Sequence, residues 1–165
     1  MKRVIVVSDA HGDLADLREA FEMARRAGPI DVAVFLGDGM REFDQLRPEL
    51  TAEKTTCYAV PGNNDWSSHE PQEITFTVGK VRFFACHGHT RHVKYGLDRL
   101  FYAASEHEAQ VALYGHTHRA KVDLDYGVQL INPGAICERF RNNTAYAEIR
   151  VEDDGSVLPY LIQWS

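Results

Sequence analysis

The chain has 165 residues, 44% of them hydrophobic, which is the size of one domain (1–165) able to bury a full core. A net charge of -6 and a pI near 5.7 argue against a general nucleic-acid binder, whose affinity comes from clustered Lys and Arg, and leave room only for a local basic pocket. No stretch approaches the ~20 apolar residues of a membrane span, and MKRVIVVSDAHGD turns polar too early for a signal peptide, so a soluble cytoplasmic protein without a membrane partner is expected.

The apolar run Val4 to Val7 has the composition of a buried strand. After it, Asp13 reads as an N-cap, with Leu14, Leu17, Phe21 and Ala24 at helical spacing and Gly28-Pro29 as the stop, which predicts a helix over 14–27. Asp31 to Leu36 then completes a right-handed parallel βαβ unit. Residues 40–54 are predicted helical, with Pro48 expected to break or kink them, and Thr56 to Val60 to be a third strand. Ile74 to Val78 and Val81 to Ala85 form a hairpin about Gly79-Lys80, followed by a helix over 97–108 and a strand from Val111 to Tyr114. The last third reads as a meander of four strands, Lys121 to Leu124, Val128 to Ile131, Thr144 to Val151 and Val157 to Ile162. The fold expected is α/β, two mixed sheets packed as a sandwich with helices outside, an αββα order.

Five short motifs follow apolar runs, SDAHGD, FLGDG, PGNND, CHGH and YGHTH, and they carry seven candidate metal ligands: Asp9, His11, Asp38, Asn63, His87, His116 and His118. Asp9 and His11 are two apart, as are His116 and His118, so on extended backbone each pair projects to one side. Glycine flanks almost every ligand (Gly12, Gly37, Gly62, Gly88, Gly115), which suits backbone that approaches an ion or phosphate closely. One HxH or GD alone is more often packing or a turn; five such motifs at strand ends are a metal site. Imidazole, carboxylate and amide without thiolate suit two divalent ions, manganese first, with Ni, Zn, Fe or Co also compatible. His87 is preferred to His89 because it directly follows the strand VRFFAC, leaving His89 to contact substrate or another ligand. Cys57, Cys86 and Cys137, odd in number and without CxxC spacing, read as thiols packed like small apolar residues, none a favoured nucleophile or ligand.

In this order D-x-H, GD, GN, HG and GHTH resemble the calcineurin-like metallophosphoesterase superfamily, and in spacing and length its small YfcE-type prokaryotic phosphodiesterases. The motifs cover residues 9–118, and the remainder fits the family's second sheet only loosely. The resemblance implies one ion held by Asp9, His11, Asp38 and His118 and another by Asp38, Asn63, His87 and His116, with Asp38 shared. It implies hydrolysis of a small, nucleotide-like phosphodiester by a hydroxide bridging the two ions, in a monomer or small homo-oligomer with no stable nucleic-acid complex. Asp65 and Asp13 would either orient imidazoles or serve as turn and cap residues.

Many members place histidine after the ligand asparagine, where this chain has Asn64. An amide donates a hydrogen bond but no proton, so phosphodiesters with acidic leaving groups are expected to react better than alkyl monoesters. Trp66, Arg91, His92, Arg139 and Arg141 follow the motifs and could hold a base or phosphate, while His69 and His107 read as surface residues. A phosphomonoesterase or phosphoprotein phosphatase on the same site is one alternative, a non-catalytic binding scaffold another, and a nuclease the weakest. Activity is expected to fall below about pH 6, where the ligand histidines protonate.

Overall fold

The computed structural model describes residues 1–137 and 144–164. β1 (Lys2–Val7), β2 (Val32–Phe35) and β3 (Thr56–Ala59) run parallel, with Val4 opposite Val32 and Val32 opposite Thr56. The returns are made by α1 (Leu14–Arg26) and α2 (Met40–Ala52). Asp13 caps α1 by accepting the Asp16 amide at 3.0 Å, as its position before the first apolar residue implies.

β9 (Thr144–Val151) adds antiparallel to β1, and β10 (Val157–Trp164) antiparallel to β9, giving one five-stranded sheet in the order β10-β9-β1-β2-β3. The second sheet holds the hairpin β4 (Glu73–Val78) and β5 (Val81–Cys86), then β6 (Val111–Leu113), β8 (Gln129–Asn132) and β7 (Lys121–Asp123) in the order β4-β5-β6-β8-β7. The helix α3 (Asp98–Glu106) precedes β6.

Strand alternation sorts side chains into three apolar layers. Val4 and Val6 join Val34, Phe83, Val111, Leu113 and Ile149 between the sheets. Ile5 and Val7, on the other face of β1, meet Leu17 and Phe21 of α1 and Phe43, Leu46 and Leu50 of α2. Phe84, Ala112 and Leu130 meet Leu100, Ala103 and Ala104 of α3 on the outside of the second sheet. The order is helix, sheet, sheet, helix, as expected.

Two expectations are corrected. The helix runs through Pro48 without a break, because Phe43 and Leu46 before it and Leu50 after it are buried on the first sheet and hold both halves in place. The C-terminal third is no meander. β7 and β8 stay in the second sheet, with β8 parallel to β6, while β9 and β10 cross to the first. β9 is buried on both faces, which suits an interior position beside β1 rather than a strand of a one-sided meander.

Candidate metal centre

Parallel pairing sends the loops after β1, β2 and β3 off one edge of the first sheet, and those after β5 and β6 off one edge of the second. The edges are stitched together: His87 Nδ1 donates to the Leu36 carbonyl at 2.6 Å, and the His116 amide donates to Asp9 Oδ2 at 3.1 Å. Asp9, His11, Asp38, His87, His116 and His118 converge there.

The convergence does not come from extended D-x-H and HxH segments. Asp9, His11, Asp38, His116 and His118 all have left-handed backbone, with φ of 57°, 42°, 61°, 72° and 62°. Such a conformation is costly for side-chain-bearing residues, and here it turns each loop back over the strand end. The glycines approach the ligands rather than a ligand's ion. A Cβ on Gly62 would lie 2.1 Å from Asp38 Oδ1, and one on Gly115 2.1 Å from Ser8 Oγ and 2.8 Å from Asp9 Oδ2.

Two donor clusters share one carboxylate. Asp38, His87 and His116 offer ligand atoms within 4.8 Å of one another, and so do Asp9, His11 and Asp38. His118 Nε2 adds to the second cluster at 3.3 Å from Asp9 Oδ1. That oxygen is buried and accepts no hydrogen bond among the described residues, although the Nε2 atoms of His11 and His87 also lie 3.4 and 3.8 Å away. His87 Nε2 faces His116 Nδ1 at 3.2 Å and Asp38 Oδ2 at 3.3 Å. An orphaned carboxylate oxygen ringed by imidazole nitrogens is a site that divalent cations fit.

The charges agree. Burial pushes the Asp9 carboxyl up, but the imidazoles of His11 and His118, the field of His87 and the Ser8 hydroxyl outweigh it and hold it well below the carboxylate range. Asp38 is likewise raised by burial and lowered on balance, chiefly by His87. His87 is lowered by burial but raised on balance by Asp38 and Asp9. His116 is pushed down to about 4 by burial, His87 and the positive charge of Lys94, so its imidazole is neutral at neutral pH.

The asparagines differ from expectation. Asn63 is exposed and its carbonyl accepts the Trp66 indole N–H at 2.6 Å, while its side chain makes no hydrogen bond among the described residues. It is Asn64 that reaches Asp38, through its backbone amide to Oδ1 at 2.8 Å and its side-chain amide to Oδ2 at 3.1 Å. Asp65 does not orient an imidazole. Its carboxylate accepts the amides of Asp38, Gly62, Gly39 and Met40 at 2.7, 2.8, 3.0 and 3.1 Å, tying the GD and GNND loops together and capping α2, whose N-cap Gly39 has no side chain to do so. Asp13 is a cap as well. His89 opens the 3₁₀ turn His89–Arg91 with its ring 5.4 Å from that of His87; its Nδ1 is buried without a partner, and burial and His87 lower its pKa.

Around the centre, Arg91 is engaged by Glu73 through two contacts of 2.6 Å, Trp66 is 88% exposed, and His92 is exposed. Arg139 and Arg141 lie outside the described residues. His69 is exposed, as expected, and borders a cavity of about 710 Å³ with His11, Asp38, Asn64, Arg41 and Glu42. Cys137, read as inert, has its Sγ 4.0 Å from His118 Nδ1 and forms a third donor cluster with His11 and His118. No CxxC spacing could have marked it; the Cys137 amide bonded to the Asp9 carbonyl at 3.1 Å brings it there.

The model of the calcineurin-like phosphoesterase superfamily domain matches residues 1–154. The chain belongs to that superfamily. It is 30% identical over 162 residues to the probable metallophosphoesterase YsnB of Bacillus subtilis, covering 97% of this chain and 90% of that one. It is 26% identical over 154 residues to the phosphodiesterase MJ0936 of Methanocaldococcus jannaschii, covering 82% and 84%. Among solved structures, a predicted phosphoesterase from Streptococcus pneumoniae TIGR4 superposes with a TM-score of 0.72 at 26% identity, over 98% of this chain and 97% of that one. Vps29 of Entamoeba histolytica complexed with zinc superposes with a TM-score of 0.71 at 17% identity, over 99% of both, a likeness of fold alone. Members of this superfamily are metal-dependent phosphoesterases, which agrees with the donor clusters described above.

Proposed function

We propose that this chain is a phosphodiesterase working with two divalent ions, manganese foremost. The observation that carries the reading is Asp38, shared by two clusters of ligand atoms beside the orphaned Asp9 oxygen. Asp9, His11, Asp38 and His118 would hold one ion, and Asp38, His87 and His116 the other, with Asn63 or Asn64 completing it. Two bound ions supply charge neutralisation for the phosphoryl oxygens and a water acidic enough to attack at neutral pH, in line with the leaving group.

In the reaction, water adds to phosphorus and the P–O bond to the leaving group breaks, yielding a phosphomonoester and an alcohol. The leaving oxygen needs a proton or must tolerate leaving as an anion. Asn64 can only donate a hydrogen bond, and His89, depressed by burial and His87, is neutral near pH 7. Diesters with acidic leaving groups are therefore the substrates this site serves best. MJ0936, named a phosphodiesterase, is in keeping with that choice.

The fold shared with Vps29 supports a second reading, a protein-binding scaffold, and since Vps29 is itself found with zinc, turnover rather than metal binding separates the two. No helix among the described residues is long and apolar enough to cross a membrane, and the free thiols Cys57, Cys86 and Cys137 suit a reducing cytoplasm. The test is to strip the protein with chelator, restore Mn, Ni, Zn or Mg singly, and assay bis(p-nitrophenyl) phosphate beside p-nitrophenyl phosphate, with Asp38→Asn and His116→Ala as controls. Metal-dependent diester hydrolysis lost in both variants is expected; stoichiometric metal without turnover, or no metal bound, overturns the reading.

A further inference from the structure

Two clefts flank the centre, and they differ in charge. The cavity that His11, Asp38 and Asn64 border also takes in Glu42, Asp44 and Glu70, with Arg41 as its one Lys or Arg. A second cleft of about 630 Å³ is lined by Lys94, Tyr95, Tyr114, Thr117, Arg119 and Lys121, with no acidic residue among the described residues of its lining. Thr117 stands between the ligand histidines His116 and His118, so this cleft opens directly beside the GHTH loop. In a chain of net charge -6, three cations in one lining without a carboxylate are a concentrated exception.

Their charges are available. Lys94 and Arg119 are exposed, and neither has an ion-pair partner among the described residues. Lys121 is partly engaged by Asp123, 3.5 Å away and outside the lining. Tyr95 is 91% exposed, leaving a ring face open beside the cations.

Resting on the phosphodiesterase reading, we propose that the cleft of Lys94, Arg119 and Lys121 binds a second phosphate of the substrate, which is a small phosphodiester carrying another phosphate group beside the scissile one. A guanidinium fork and an ammonium without internal partners match phosphate oxygens, and such contacts hold a substrate arm in place while the centre works on its neighbour. The exposed Tyr95 ring gives a nucleobase a surface to stack on. The acidic cavity bordered by His11 and Asp38 repels a further anion, so the leaving group placed there is neutral or cationic. This orients the substrate: phosphorylated arm toward Tyr95 and Arg119, leaving alcohol toward Arg41 and His69. A polynucleotide extending into the cavity of Glu42, Asp44 and Glu70 would meet like charge, which favours a small substrate.

The test uses the manganese-loaded full chain and the p-nitrophenyl esters of thymidine 5′-phosphate with and without a 3′-phosphate. The wild-type protein is expected to favour the 3′-phosphorylated ester in kcat/KM by about tenfold, the scale of a few partly exposed charge contacts. In Lys94→Ala/Arg119→Ala the ratio should collapse to about one, and in Arg119→Lys it should be partly kept. The ratio within each protein cancels any general loss of activity. Calorimetric titration with thymidine 3′,5′-bisphosphate and thymidine 5′-phosphate reads the same preference without turnover. Equal treatment of both esters by the wild-type protein, or a preference that survives in the double alanine variant, overturns the proposal. Failure to hydrolyse either ester, with the calorimetric preference intact and sensitive to the variant, would instead refute the enzymatic reading and leave the phosphate site standing.

Discussion

His87 and Leu36 are joined by a 2.6 Å hydrogen bond between the ends of β5 and β2, one in each sheet. A carbonyl can only accept, so the proton sits on Nδ1 of the neutral ring and Nε2 turns its lone pair toward Asp38 and His116. The contact that holds the two sheets together at this edge therefore also sets the tautomer of a ligand.

Stability of the metal-free protein should fall at alkaline pH. His87 is raised on balance by Asp38 and Asp9 against the effect of burial, so its proton contributes stability that is full below about pH 6.5 and is lost as pH rises through the raised folded value. Asp9 and Asp38 are depressed, so their contribution is full above about pH 4 and is lost as pH falls through their folded values. His116 and His89, both lowered, act in the opposite sense and cost stability as pH falls below about 6.5, so the loss is read above that value: chelated protein should melt lower at about pH 9 than at about pH 7, and manganese should abolish the difference by standing where the proton stood. A flat chelated profile between those values contradicts this. His116, pushed down to about 4, stays neutral well below pH 6 and is not the histidine that would set the expected acid limit of activity.

Asp65→Ala should destabilise the fold by about 3 kcal/mol, because a carboxylate that accepts four backbone amides is removed and partly buried donors are left behind. Asp65→Asn keeps one accepting oxygen and should lose about half as much. Urea unfolding in chelator measures both; near-wild-type midpoints would show that solvent serves these amides equally well.

Gly62→Ala should spoil ion binding more than folding. The new methyl would meet Asp38 Oδ1 at 2.1 Å and the Asp38 backbone nitrogen at 2.5 Å, so the shared carboxylate and the loop carrying it must move, at a cost of roughly 1–3 kcal/mol for an overpacked site. Manganese bound per chain, measured after gel filtration, should drop below that of the wild type while the circular dichroism spectrum is kept. Unchanged stoichiometry would mean that the loop yields instead.

Across a series of aryl diesters, log kcat/KM should fall steeply as the leaving group's pKa rises, and Asn64→His should flatten the line, raising the rate on the poorest leaving groups by about a hundredfold. Equal slopes in the two proteins would remove Asn64 from leaving-group chemistry.

Cys137 should enter the coordination of soft ions. Its sulfur, 4.0 Å from His118 Nδ1, belongs to a donor cluster with His11. Cadmium added to the metal-free protein is expected to give the ultraviolet thiolate-to-metal band, absent in Cys137→Ser, whereas manganese ignores the thiol. A band of equal strength in the variant would assign it to Cys57 or Cys86.

The layers of the fold were legible because strand alternation and helical spacing are local: Val4 and Val6 against Ile5 and Val7, Leu17 against Phe21. So was the meeting of Asp9, Asp38, His87 and His116, which parallel strands deliver to one edge of each sheet. The C-terminal crossover was not, since turn residues show where strands end and not which partner they take; only the two-sided burial of β9 distinguishes it. Nor was the left-handed backbone at Asp9 and His118, because those residue types do not announce φ as glycine does. Cys137 and Lys94 were invisible for a further reason: each gains its setting from residues distant in the chain, with no motif around it.

The left-handed ligands also have an energetic side. Asp9, His11, Asp38, His116 and His118 each hold a conformation costing roughly 1–2 kcal/mol that glycine adopts freely. For the exposed His11, replacement by glycine would relieve strain without opening a hole in the core. On backbone strain alone these positions suit glycine, so the loops hold their side chains at a cost to the fold that a bound ion would offset.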